Sequence, residues 1–234
     1  MKQHLEKYLQ KMGVEYTEVQ LNQFELYHQM LAEWNQKINL TAITEPDEVA
    51  LKHFADCIYG IDKIPQGASI IDVGSGAGFP GVPLKIMRPD ISVLLLDSLN
   101  KRILFLNELI SALQLDGIKA VHSRAEDGAK AELRESFDVA TARAVANLNV
   151  LSEYCMPYVK IGGIFLAYKG SAGLDEVANA ESAIKKLGGG SIKTDTYTLV
   201  DSDITHTLVT VYKNATTPKK YPRNPGQISK NPLV

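Results

Sequence analysis

The chain has 234 residues, 45% of them hydrophobic and 22% charged, an ordinary globular composition in which no apolar run reaches the length of a membrane span. That length suits either one α/β domain with a terminal extension or two small domains. A formal charge of −2 argues against a strongly basic nucleic-acid binder, and two cysteines, Cys57 and Cys155, are too few for a disulfide framework or a zinc site. With no charged-then-apolar leader in MKQHLEKYLQ, a reducing cytoplasm is expected.

Residues 2 to 60 read as helices. LNQFELYHQMLAEWN (21 to 35) sets Leu21, Phe24, Tyr27 or His28, Leu31 and Trp34 at helical spacing, and PDEVALKHFADCIYG (46 to 60) opens on a proline and two acids, as helix N-termini prefer. NLTAIT between them reads as a loop. From residue 69 short β runs alternate with helical ones: SIIDV, SVLLLD, IKAVH, FDVATA and GIFLAYK are each followed by a helical stretch, which predicts βαβ units and a parallel sheet. IKTDTYTLV and THTLVTVYK are separated only by a turn at DSD, so they are expected to pair antiparallel at one sheet edge. Residues 214 to 234 hold four prolines and no apolar period, and read as an extended tail.

The charge is uneven. No acid follows Asp203, so residues 204 to 234, with Lys213, Lys219, Lys220, Arg223 and Lys230, carry +5, while the preceding 203 residues carry −7 (20 basic against 27 acidic residues). Such asymmetry suggests a local anionic partner; a solvated tail that only aids solubility fits the composition as well.

The chemistry is concentrated in IIDVGSGAGFPGVPL (70 to 84), where an apolar run ends in Asp72 and breaks into four glycines within eight residues. Gly76, Gly78 and Gly81 form a dinucleotide-type G-x-G-x-x-G frame, but Pro80 lacks an N–H for a pyrophosphate and Asp72 brings negative charge toward it. The overlapping frame, Asp-Val-Gly-x-Gly-x-Gly, suits S-adenosylmethionine, which carries a sulfonium and an ammonium and no phosphate. Asp97 closes SVLLLD, where a carboxylate can accept both ribose hydroxyls of an adenosine, whether of NAD or of S-adenosylmethionine. In SRAED, the backbone at Ala125 and Glu126 can receive the adenine edge; alternatively, Glu126 is a helix N-terminal acid opposite the dipole.

DVGSGAGFPGVPL, LLDSLNKRILFL, HSRAED and FDVATARAVANL, in that order, make the chain resemble the glucose-inhibited division protein B family, the small-subunit ribosomal RNA guanine-N7 methyltransferases. The likeness extends from WNQKINLTAIT and the HFADC helix to the KKYPR tail, with Cys57 standing where a serine is expected. It implies a class I S-adenosylmethionine-dependent methyltransferase fold, Rossmann-like, with a mostly parallel seven-stranded sheet, an antiparallel edge strand and an N-terminal helical extension. The corresponding segments are an extension over 1–60, a methyltransferase domain over 61–213 and a basic tail over 214–234. The implied cofactor is S-adenosylmethionine, and the implied substrate is guanine 527 of 16S rRNA, free or in the 30S subunit. Gly74, Phe79, Ala125, Glu126 and Arg143 are the implied cofactor contacts, to which the glycine turn adds Gly76 and Asp97. A monomer with no metal and no membrane association is expected.

The residues bear on the acceptor too. The stretch after the fourth strand is TARAV and not the Asn/Asp-Pro-Pro-aromatic loop often used to orient an exocyclic amine, and both cysteines lie in apolar helical contexts unsuited to a thiolate nucleophile. Guanine N7 offers an in-plane lone pair and needs no base before attack. Arg143 and Lys169 follow strand C-termini, where open sheets place ligands, so each is a candidate for the substrate face; a structural acid is the competing partner for Arg143. Phe79 reads as a wall for the methionine chain or a helix-start core residue, and His53 and Asn39 as weaker candidates. Lys219, Lys220 and Arg223 flank Tyr221, an arrangement that lets a ring stack on a base while cations meet phosphates. A methyltransferase for another RNA or a small molecule, and a non-catalytic ribosome-assembly factor, stay open; the intact Gly74, Gly76, Gly78 and Asp97 weigh against the last.

Overall fold

The helical spacing of the first 60 residues and the short apolar runs after residue 69 are both realised in the computed structural model, which describes residues 1–130 and 132–234. Helix α1 (Lys2–Met12) precedes α2 (Glu18–Asn35), whose N-terminus is closed by a reciprocal capping box between Thr17 and Gln20. The next helix is not uniform: α3 (Pro46–Val49) passes through a π-helical stretch, Ala50–Ala55, into α4 (Asp56–Ile58). Then come β1 (Ser69–Val73), α5 (Gly81–Met87), β2 (Ser92–Asp97), α6 (Asn100–Ala112), β3 (Ile118–His122), α7 (Ala125–Gly128), β4 (Phe137–Arg143), α8 (Leu148–Cys155), β5 (Val159–Lys169) and α9 (Gly173–Lys186). The hairpin strands β6 (Gly189–Thr198) and β7 (Thr205–Lys213) follow, and α10 (Pro225–Lys230) lies near the C-terminus.

The seven strands form one sheet in the order β3-β2-β1-β4-β5-β7-β6. β1 to β5 are parallel, and β7 runs antiparallel to both β5 and β6, so the expected antiparallel pair closes one edge with β6 outermost. Alternate strand residues serve opposite faces. Ile70, Val93, Leu95 and Val139 pack with α1, α2, α5 and α6, while Ile71, Leu94, Leu96 and Ala140 pack with α8 and α9. Both faces are covered, which is why these strands read as nearly continuous apolar runs. The N-terminal helices share one continuous core with the sheet, through Phe24, Tyr27 and Phe54.

The expectation of an extended tail is corrected. Residues 217 to 233 lie against the α8 side of the sheet, with Thr217, Tyr221, Ile228 and Leu233 buried. Arg134 holds the segment by donating to the carbonyls of Thr217 (2.7 Å), Tyr221 (2.9 Å) and Pro218 (3.3 Å), and the fully buried Glu153 binds Arg223. Proline removes helical periodicity from such a stretch without preventing burial, because side chains elsewhere satisfy its carbonyls.

Candidate active site

Strand order reverses between β1 and β4, and the C-terminal ends of these strands with β2 and β5 open onto two cavities that meet at Gly74. Gly74, Gly76 and Gly78 all have positive φ, at 76°, 60° and 98°. Crowding explains two of them: a Cβ on Gly74 would come within 2.8 Å of Val145 Cγ2, and one on Gly78 within 2.7 Å of Tyr27 Oη. Gly76 differs, since its nearest neighbour would be Gly74 O at 3.9 Å and it lines the larger cavity. Asp72 is fully buried; its Oδ2 accepts from Gly81 N–H at 3.0 Å, and its Oδ1 has no hydrogen-bond partner among the described residues. Burial pushes its carboxyl up to about 7.

The larger cavity, about 510 Å³, brings Phe79 and Arg143 together with groups from the N-terminal helices. The Arg143 guanidinium donates to Lys52 O (2.9 Å) and Asp56 Oδ2 (3.0 Å), contacts His53 Nδ1 at 2.9 Å, and lies 4.8 Å over the Phe79 ring. Arginine has no acceptor, so His53 Nδ1 must accept and its proton sits on Nε2, facing Thr41 Oγ1 at 2.8 Å. Burial first, and Arg143 second, lower the His53 pKa to about 3, so the ring is neutral near pH 7. Asp56 Oδ1 accepts from Tyr197 Oη and His206 Nδ1, both at 2.8 Å. Burial alone would raise the Asp56 carboxyl, but His206 and Arg143 bring it below its ordinary value. Lys169, nearly buried, donates to Ala146 O (2.8 Å) and pairs with Glu176 Oε2 (2.7 Å) on the same cavity's wall.

The smaller cavity, about 350 Å³, is bordered by Asp97, Ala125 and Glu126. Asp97 Oδ2 accepts from Gly76 N–H (2.9 Å) and Arg102 (3.3 Å), and Oδ1 from Leu99 N–H (2.9 Å). A carboxylate has about four lone-pair sites, so these donors leave Asp97 acceptor capacity for a ribose hydroxyl. Its first task is to hold the glycine turn. The carbonyl of Ala125 is taken by Tyr158 Oη at 2.6 Å, and Glu126 is buried at the start of α7.

Residues 20–204 match the family model described as GidB, rRNA small subunit methyltransferase G. The chain belongs to this family. Among its relatives, ribosomal RNA small subunit methyltransferase G of Clostridium perfringens is 50% identical over 232 residues, 98% of this chain and 97% of the relative. The protein of that name from Staphylococcus saprophyticus is 49% identical over 224 residues, 95% and 94% of the two chains. Among solved structures, a methyltransferase from Pyrococcus furiosus aligns with a TM-score of 0.56 at 14% identity, over 80% of this chain and 95% of that one. M. jannaschii TYW2 in complex with AdoMet aligns with a TM-score of 0.53 at 14% identity, over 67% and 74%. The GidB chain thus has the class I methyltransferase fold.

Of the residues singled out in this GidB sequence, Gly74, Gly76, Phe79, Arg143 and Lys169 border the larger cavity, and Asp97, Ala125 and Glu126 the smaller. His53 is among them after all, brought in by the π-helical stretch. Arg223 is not free, because its guanidinium grips Glu153, whereas Lys219 and Lys220 are exposed. Lys213, counted above with the tail's charge, is buried, donates to Met156 O at 2.7 Å and pairs with Glu135. Asp56, Tyr197 and His206 are absent from the sequence-based set. Asp56 carries a signal in hindsight, three residues after His53 on one helical face; Tyr197 and His206 become neighbours only as a cross-strand pair between β6 and β7. No group of three or more His, Cys, Asp or Glu suited to a metal occurs among the described residues, and no helix of theirs is long and apolar enough to cross a membrane.

Proposed function

We propose that this chain transfers the methyl group of S-adenosylmethionine to N7 of guanine 527 in 16S rRNA. When bound, the cofactor supplies an electrophilic methyl on sulfur, which the in-plane N7 lone pair attacks while the carbon–sulfur electron pair leaves on sulfur. Among the described residues the buried Asp72 makes no ion pair and has one unpartnered oxygen, so a ligand bearing sulfonium and ammonium charge, which favours its ionised form, suits the turn better than a pyrophosphate. Gly74 and Gly76 let backbone approach the methionine portion, with Phe79 and Arg143 bordering the same cavity. Asp97, Ala125 and Glu126 take the adenosine end in the smaller cavity.

The observation that carries the acceptor assignment is the engagement of the two groups beside Arg143 in the larger cavity, His53 and Asp56. His53 has both ring nitrogens occupied, and Asp56 is held ionised by three donors, from Arg143, Tyr197 and His206. Neither is disposed to take a proton, and alkylation at N7 requires no proton loss before attack. Family membership favours ribosomal RNA, and the exposed Lys219 and Lys220 supply cations for phosphates. The test is labelled methyl transfer to purified 30S subunits, naked 16S rRNA and a small-molecule pool, followed by borohydride and aniline treatment, which cleaves RNA at N7-methylguanosine. A single cleavage at position 527 is expected; label in small molecules alone, or labelled RNA that resists cleavage, would overturn the proposal.

A further inference from the structure

The C-terminal segment reaches the smaller cavity. Among the residues bordering that cavity are Tyr154 of α8 and Pro225 of the segment, opposite the polar groups Asp97 and Glu126. Two more apolar side chains there, Leu99 and Val145, are 42% and 41% exposed, well above what large aliphatic groups show in the core. A planar base between these four would cover surface the protein leaves to water, while its polar edge faced the acids.

Pro225 is held in register by the ion pair two residues before it. Glu153 is fully buried, and Arg223 binds it through Nε (2.9 Å to Oε1), Nη2 (2.6 Å to Oε2) and its own backbone N–H (2.8 Å to Oε1). Such a forked arrangement fixes orientation as well as distance. On the far side, Ile228 is wholly buried, so the segment is pinned on both flanks of Pro225.

We infer that the segment around Pro225 is a wall of the adenosine end of the cofactor cavity, with Arg223 as the positioning residue that sets it there through Glu153, an inference resting on the cofactor placement proposed above. The basic segment therefore acts on cofactor affinity, and not only on RNA. Pro225→Gly removes the wall's ring without touching the ion pair, and Glu153→Met with Arg223→Met removes the pair without stranding a buried charge. Calorimetry with S-adenosylmethionine and with adenosine, alongside melting temperatures, reads both. Each variant is expected to bind both ligands about fivefold to tenfold more weakly. Gln227→Ala, an exposed change on α10 away from the cavity, should leave both affinities at the wild-type level. If the double variant does not fold, Pro225→Gly still decides. Wild-type affinities in a folded Pro225→Gly chain would overturn the wall while leaving the cofactor assignment intact. A wild-type chain that binds neither ligand would overturn the cofactor assignment and the wall with it.

Discussion

Arg143 joins the two halves of the larger cavity: β4 supplies the guanidinium, and the π-helical stretch and α4 supply three of its contacts. Asp56 is its structural acid, and the same guanidinium borders the cavity proposed to take the cofactor's methionine portion. Arg143→Ala would leave Asp56 buried without its cation and free the Lys52 carbonyl, so a loss of about 3 kcal/mol is expected in urea unfolding, together with loss of methylation in the fraction that stays folded. His53 adds a pH dependence of definite sign. Its folded pKa of about 3 lies below the ordinary 6.5, so the unfolded chain takes up the proton first. The stabilisation is complete above pH 6.5 and is lost progressively as pH falls toward 3. Asp72, raised to about 7, works in the opposite direction between its ordinary 3.8 and 7, stabilising the acid side. The two are separated by comparing wild type with His53→Gln: the wild type's advantage in unfolding free energy should shrink between pH 7 and pH 4. An advantage independent of pH would show that His53 is not held neutral.

At the scale of elements, the glycine turn combines two kinds of constraint in five residues. Gly78 is packed against, because a methyl there would meet Tyr27 Oη and Val82 Cγ2 at 2.7 and 2.8 Å. Gly78→Ala should therefore cost about 3 kcal/mol through strain and overpacking together. Gly76→Ala meets no such obstacle and should cost only about 1 kcal/mol, for its left-handed backbone. Its larger effect should fall on the ligand. Thermal shift with and without S-adenosylmethionine distinguishes them: Gly76→Ala should keep most of its melting temperature and lose the ligand-induced shift. A full shift in that variant would mean that the cofactor does not pass over Gly76.

For the whole molecule, the docked C-terminal segment separates charges that composition groups together. Lys213 and Arg223 are committed to Glu135 and Glu153, while Lys219 and Lys220 face solvent. The double variant Lys219→Ala, Lys220→Ala should flatten the log-log salt dependence of RNA binding by about two, with S-adenosylmethionine affinity unchanged. An unaltered slope would place the RNA contacts elsewhere. Truncation at Ala215 cannot make that distinction cleanly: it uncovers the buried Glu153 and removes Ile228 and Leu233 from the core. Such a truncation should melt markedly lower than wild type and lose cofactor affinity as well, a combination that a solvated appendage would not produce.

β1, β2, β3 and β7 span the same residues as SIIDV, SVLLLD, IKAVH and THTLVTVYK, and the glycine turn lies where an apolar run meets an acid. Such features are local, because a strand buried on both faces must be apolar throughout and a crowded left-handed turn must use glycine. Two things were decided only in three dimensions. Asp56 acquires Arg143, Tyr197 and His206 from positions 87, 141 and 150 residues away, contacts that no spacing within one element encodes. The C-terminal segment reads as extended because hydrophobic periodicity is the signal of burial in helices and strands. What holds this segment is one buried ion pair across 70 residues and side-chain bonds to its carbonyls, and neither leaves a period in the sequence.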